Sequence, residues 1–245
     1  MRLPVILFAL LASIAGLHAD DFEARIFAAP DGATLPYRLL RPAQIEPARK
    51  YPLVVFLHGA GERGDDNAAQ LKHGASIFAK PENREKFPAF VFAPQCPKEQ
   101  TWSAVKEWTE AEPFSAEPKP AMALALGAID ALAKEFPIDP DRLYVTGLSM
   151  GGYGTWDLLC RIPRRIAAAA PVCGGGDAAK ISVASGVAVW AFHGMEDTVV
   201  PVARSREMTA ALTAAGGAPL YSEYPYLKHD SWTTAYGEPE LLPWL

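Results

Sequence analysis

Arg142-Leu143-Tyr144-Val145-Thr146-Gly147-Leu148-Ser149-Met150-Gly151-Gly152-Tyr153-Gly154-Thr155-Trp156 is the stretch on which the fold turns. Residues 142–146 read as a short strand, and residues 152–161 as a helix. Between them, Gly147 and Gly151 flank a serine at G-x-S-x-G spacing. A strand that turns sharply into a helix needs small residues on both sides, and the turn lifts the serine hydroxyl above the sheet. The five-residue pattern alone is common. Its place between strand and helix gives it weight.

Working outward, the neighbouring segments repeat the same alternation. Residues 52–57 are a continuous apolar run ending at His58-Gly59, as a fully buried parallel strand would. Residues 89–93, 166–172, 187–192 and 220–224 read as further strands, with helical spacing over 121–136 and 204–215. At the front, 22–28 and 35–40 form strands joined by Pro30-Asp31-Gly32, a hairpin turn signal. The expectation is an α/β fold over residues 20–245: a mostly parallel sheet layered between helices, led by an antiparallel hairpin.

Composition agrees with a globular chain that buries a sizeable core. Of 245 residues, 50% are hydrophobic and 21% charged, which excludes a disordered chain and a polytopic membrane protein. A net charge of −5 leaves no basic footprint for nucleic acid. Residues 1–19 read as a signal peptide. Arg2 precedes an apolar run over 5–15, and Leu17-His18-Ala19 offers a cleavage site. The run is shorter than the ~20 residues of a spanning helix, so a secreted or periplasmic protein without stable membrane association is expected. Cys96, Cys160 and Cys173 fit no zinc spacing, so no metal is expected; they allow either one bridge or buried free thiols.

A serine needs a base, and in this topology the chain order is serine, acid, histidine. Of His58, His73, His193 and His229, only His229 follows a suitable acid that itself follows Ser149. His58 and His193 stand in His-Gly pairs at strand ends and read as structural imidazoles, and His73 lies on a segment expected to be exposed. Asp197 is the first choice of acid, because its loop leaves the carboxyl end of a buried strand, where open parallel sheets place their sites. Glu196 is the near competitor and Asp177 the distant one. An oxyanion hole would take the backbone N–H of Met150 and one from His58-Gly59-Ala60-Gly61-Glu62-Arg63-Gly64. Ala60 is the preferred donor and Gly61 the second. A phosphate-binding reading of that Gly-rich loop fails for want of a following Gly-Lys-Ser/Thr.

These segments, with Ala93-Pro94-Gln95-Cys96-Pro97, Cys173-Gly174-Gly175-Gly176-Asp177 and His229-Asp230-Ser231-Trp232, resemble in order the α/β-hydrolase superfamily. The resembling branch is a group of small secreted esterases often labelled phospholipase/carboxylesterase. It is related to dienelactone hydrolases, feruloyl esterases, polyhydroxybutyrate depolymerases and the catalytic domain of prolyl oligopeptidases. The resemblance implies a triad of Ser149, Asp197 and His229 and no cofactor. A departure is that His-Gly-Ala-Gly-Glu-Arg-Gly replaces the lipase-like His-Gly-Gly-Gly, with a Glu62–Arg63 ion pair expected to fix the loop.

Residues 174–186 are too few for a helical cap, so an open site is expected. The longer excursion, residues 94–120, carries Trp102 and Trp108. Trp102 and Trp232 are candidates for an aromatic rim around a sugar or aromatic acyl group. The implied substrate is a small-molecule or polysaccharide-linked ester of a short or aromatic acid. Esterase, prolyl oligopeptidase-like peptidase and a non-catalytic binding protein remain open on fold alone. The oligomeric state is left open as well.

Overall fold

The computed structural model describes residues 21–110 and 113–245, so the signal-peptide reading of residues 1–19 lies outside the described residues. The chain opens with strands β1 (Phe22–Ala28) and β2 (Thr34–Leu40), paired antiparallel. β3 (Tyr51–Leu57) follows, then the short helices α1 (Ser76–Ala79) and α2 (Pro81–Lys86), and β4 (Phe90–Pro94). Next come α3 (Pro120–Glu135), β5 (Ile138–Leu148), α4 (Met150–Arg161) and β6 (Ile166–Val172). The chain continues through β7 (Ala188–Gly194), α5 (Ala203–Ala214), β8 (Leu220–Tyr224), α6 (Trp232–Ala235) and α7 (Leu241–Trp244).

The strands form one eight-stranded sheet in the order β1-β2-β4-β3-β5-β6-β7-β8. β2 meets β4 antiparallel, and every pairing from β4 to β8 is parallel. The fold is the expected three-layer α/β-hydrolase sandwich. Between β6 and β7 lies a short loop with a single 3-10 turn, Ile181–Ala184, and no cap.

Each layer follows from its residues. β3 and β4 are buried along nearly their whole length, which is why both read as unbroken apolar runs. α3 starts with Pro120, whose fixed φ suits a first helical position, and buries Ala121, Met122, Ala125, Ala128, Ile129 and Leu132 at three- and four-residue steps. Those side chains pack on Leu53, Val55 and Val145 of one sheet face, while Val54, Phe56 and Leu148 face the other. Fully burying one such side chain is worth roughly 1.5–3 kcal/mol. β5 is longer than the apolar alternation predicts. Ile138 pairs with Tyr51, the ladder breaks over the segment containing Pro140, which has no N–H to give, and pairing resumes at Leu143. Helices α1 and α2 fall on a segment with no clear apolar period. Their short apolar stretch Ile77-Phe78-Ala79 is buried against Phe56 and Val91.

Candidate active site

Ser149 sits between β5 and α4 with φ 53° and ψ −117°, a conformation that side-chain-bearing residues seldom adopt. The sharp turn is possible because α4 lies almost against β3. A Cβ on Gly151 would stand 1.9 Å from the Leu57 carbonyl oxygen, so only glycine fits. Ser149 N–H donates to the Val172 carbonyl at 2.9 Å, which ties the turn to β6.

The serine hydroxyl lies 2.9 Å from Nε2 of His229, and Nδ1 of His229 lies 2.7 Å from Oδ2 of Asp197. A carboxylate accepts, so Nδ1 carries the proton and Nε2 is left to accept from the serine. Oδ1 of Asp197 accepts the N–H groups of Val199 and Val200, each at 2.9 Å. Burial by itself pushes the Asp197 carboxyl up. Hydrogen bonds from His193 and His229 and the Val200 N–H outweigh it and hold the group well below the usual carboxylate range. Asp197 is therefore an anion at neutral pH.

Asp197 and His229 stand on two loops that are stitched together. Met195 N–H donates to the Tyr224 carbonyl and Glu196 N–H to the Leu227 carbonyl, at 2.9 and 3.0 Å. Gly194 permits the approach, since a Cβ there would fall 2.3 Å from the Lys228 carbonyl oxygen. Glu196 points to solvent. Asp177 instead caps the excursion of residues 94–120, accepting Phe114 N–H at 2.8 Å and Ala179 N–H at 2.9 Å.

Met150 is the first residue of α4, and Ala60 opens a 3-10 turn, Ala60–Glu62. Amides at such starts have no acceptor within their own helix, so both are free in principle for an oxygen above Ser149. The loop carrying Ala60 is anchored through His58. Its Nδ1–H donates to the Gly59 carbonyl at 2.6 Å, and Nε2 accepts the Cys96 N–H at 2.9 Å. Burial lowers the His58 pKa to about 4, so the ring is neutral.

Three expectations need correction. Trp102 is fully buried, donates Nε1–H to the His58 carbonyl at 3.1 Å and packs edge-on against the His58 ring. It supports the loop from below and cannot form a rim. Glu62 does not pair with Arg63. Arg63 donates to the Ala60 and Gln100 carbonyls, while Glu62 lies 3.7 Å from Nε2 of His73. His73 is accordingly not on an exposed segment. It is half-buried, with its ring 5.5 Å from that of Trp232, whose ring stands 5.3 Å from His229. Trp232 is thus between His229 on one side and His73, with Glu62, on the other. No sequence spacing points to this group, because Glu62 and His73 follow β3 whereas Trp232 and His229 follow β8.

Among the described residues one trio could offer metal ligands, Cys173, Asp197 and His229, whose donor atoms lie within 4.8 Å of one another. Asp197 and His229 already bond to each other, and burial pushes the Cys173 thiol up, so it stays protonated. The trio is a hydrogen-bonded Asp197–His229 pair beside a buried thiol. Cys96, Cys160 and Cys173 are all buried and unpaired.

The sequence profile of the Phospholipase/Carboxylesterase family matches residues 43–237, a span containing every site residue above. A solved structure of a thermostable esterase is 42% identical with a TM-score of 0.86, over 93% of this chain and 63% of that one. A ferulic acid esterase structure, 14% identical with a TM-score of 0.66 over 91% of this chain and 96% of its own, shares the fold. Among curated proteins, a poly(3-hydroxyalkanoate) depolymerase C of Paucimonas lemoignei is 32% identical over 51% of this chain. A bifunctional acetylxylan esterase/xylanase of Neocallimastix patriciarum is 36% identical over 29% of it. The matches span 28% and 11% of those two relatives' lengths. With the family profile matched over most of its length, the chain belongs to the Phospholipase/Carboxylesterase family, in the esterase branch of the α/β-hydrolases.

Proposed function

We propose that this protein is a secreted serine hydrolase that cleaves carboxylic esters of short or aromatic acids, with plant polysaccharide esters as the preferred class. The observation that carries the reading is the hydrogen-bonded line from Ser149 through His229 to an ionised Asp197. Ser149 Oγ attacks the ester carbonyl as its proton passes to His229 Nε2. Asp197 stabilises the imidazolium, and the Met150 and Ala60 N–H groups receive the oxyanion. His229 then protonates the departing alcohol, and a water activated by the same ring frees the acid from Ser149.

The absence of a cap between β6 and β7 supports a bulky alcohol such as a sugar chain, and Trp232 offers an apolar surface beside His229. The name of the acetylxylan esterase relative and the ferulic acid esterase fold point the same way. Export rests on the pattern of residues 1–19. The test is a panel of p-nitrophenyl acetate and butyrate, acetylated xylan and feruloylated oligosaccharides, with a proline amide as the peptidase arm. Ser149→Ala should stay folded and lose ~10⁴ to 10⁶ in turnover. Inactivity on every ester, faster cleavage of the amide, or a working Ser149→Ala variant would each overturn the reading.

A further inference from the structure

His193 is the penultimate residue of β7, with its ring fully buried, four residues before Asp197. Its Nε2 lies 2.9 Å from the Val200 carbonyl and 3.2 Å from Oδ2 of Asp197. A carbonyl can only accept, so Nε2 carries a proton, and that N–H is shared between Val200 and the carboxylate. On the other side, Nδ1 lies 2.7 Å from the Ser205 hydroxyl, which is itself 3.1 Å from the Gly174 carbonyl. The ring is thus clamped from α5 on one side while its donor faces the acid.

The oxygen that His193 meets is the one that orients His229. Oδ2 therefore holds two imidazole N–H groups while Oδ1 holds two backbone amides. Four donors on two oxygens fill the carboxylate's acceptor capacity, so turning the Asp197 side chain would break several of these contacts at once. We propose that His193 is a positioning residue of the triad: its Nε2–H locks the Asp197 carboxylate and draws charge from the oxygen that faces His229. The inference rests on the triad reading above.

The chemical consequence has a direction. A carboxylate relieved of one donor is a stronger acceptor for the ring that faces it, so the acid limb of the rate should move to higher pH. Other ionisable groups facing this pair leave that direction unchanged. Burial pushes the Cys173 thiol and the Tyr153 phenol up, so both stay neutral. Glu223 is occupied by Arg206, whose guanidinium holds it low.

The experiment compares wild type with His193→Phe, His193→Asn and His193→Gln, and with Ser149→Ala as the control, by kcat, KM and the acid limb of kcat/KM on p-nitrophenyl acetate. The Gln amide nitrogen can reach the place of Nε2, whereas that of Asn falls nearer Nδ1. Phe and Asn should lose about ten- to a hundredfold in kcat, the worth of a hydrogen bond to a charged group, with KM within about threefold. Their acid limb should move up by roughly half a pH unit or more, and Gln should restore both. A purely structural histidine would lower the melting temperature in all three without moving the limb. An unmoved limb with near-wild-type kcat in folded Phe or Asn variants overturns the inference, as does a Gln variant no better than Asn. Should the Phe variant fail to fold, Asn against Gln decides. Activity retained by Ser149→Ala would instead sink the triad reading itself.

Discussion

Replacing Asp197 by Asn changes only one oxygen to an amide, yet every neighbour of that carboxylate is a donor. Whichever way the Asn turns, its NH₂ meets N–H groups: those of Val199 and Val200, or those of His229 and His193. One outcome is a His229 tautomer with the proton on Nε2, unable to accept from Ser149. Asp197→Asn should therefore lose on the order of 10³ to 10⁴ in kcat. Glu196→Gln and Asp177→Asn should stay within about tenfold. Steady-state kinetics of the three variants checks this, and a crippled Glu196 or Asp177 variant would reassign the acid. At this scale chain order and strand ends bring Ser149, Asp197 and His229 forward as candidates with Glu196 and Asp177 as rival acids, and the structure places the first three in one hydrogen-bonded line. What stayed hidden needed distances. Trp102 in a loop could turn outward or inward, and only the position of the His58 carbonyl decides it. Glu62 has Arg63 beside it in sequence but His73 beside it in space. The contact of His193 with Asp197 depends on a loop folding back on its own strand end, which spacing alone does not reveal.

Loops joined to strand ends carry the rest of the site, and the one after β3 has its own pH sensitivity. His58 holds the Ala60 loop to Cys96 only as a neutral ring that donates from Nδ1 and accepts at Nε2. Its pKa is lowered to about 4 by burial, against about 6.5 in the unfolded chain. The unfolded state therefore binds the extra proton between those values. Stability is fully present above about pH 6.5 and is lost as pH falls toward about 4, by roughly 2–3 kcal/mol. Urea unfolding at about pH 7 and about pH 4.5 should show this drop, and His58→Gln should flatten it. An unchanged pH dependence in a folded His58→Gln variant would contradict the assignment. Element by element, the apolar runs of β3, β4 and β6 are legible because both faces of those strands are buried. The helices α1 and α2 are not, since a few apolar residues carry too little periodicity to separate helix from loop.

The whole sheet distributes the chemistry unevenly. Ser149 and the Ala60 loop leave β5 and β3, adjacent strands in the middle of the sheet, whereas Asp197 and His229 follow β7 and β8 at its margin. β8 is five residues long, largely half-exposed, and has β7 as its one sheet neighbour. Margins of this kind open at lower free energy than central strands. The hydrogen bonds from Met195 to Tyr224 and from Glu196 to Leu227 make the Asp197 and His229 loops come away together. Heat should then act on this molecule as a reversible off-switch before it acts as a denaturant. In-assay rate should fall at a lower temperature than intrinsic tryptophan fluorescence reports melting, and should return on cooling from that interval. Amide exchange should be faster in β8 than in β5. Coincident loss of rate and fluorescence would mean that margin and centre open as one. If they separate, the catalytic output is a thermometer for the weakest strand, and any attempt to extend the working range belongs at β8 rather than in the core.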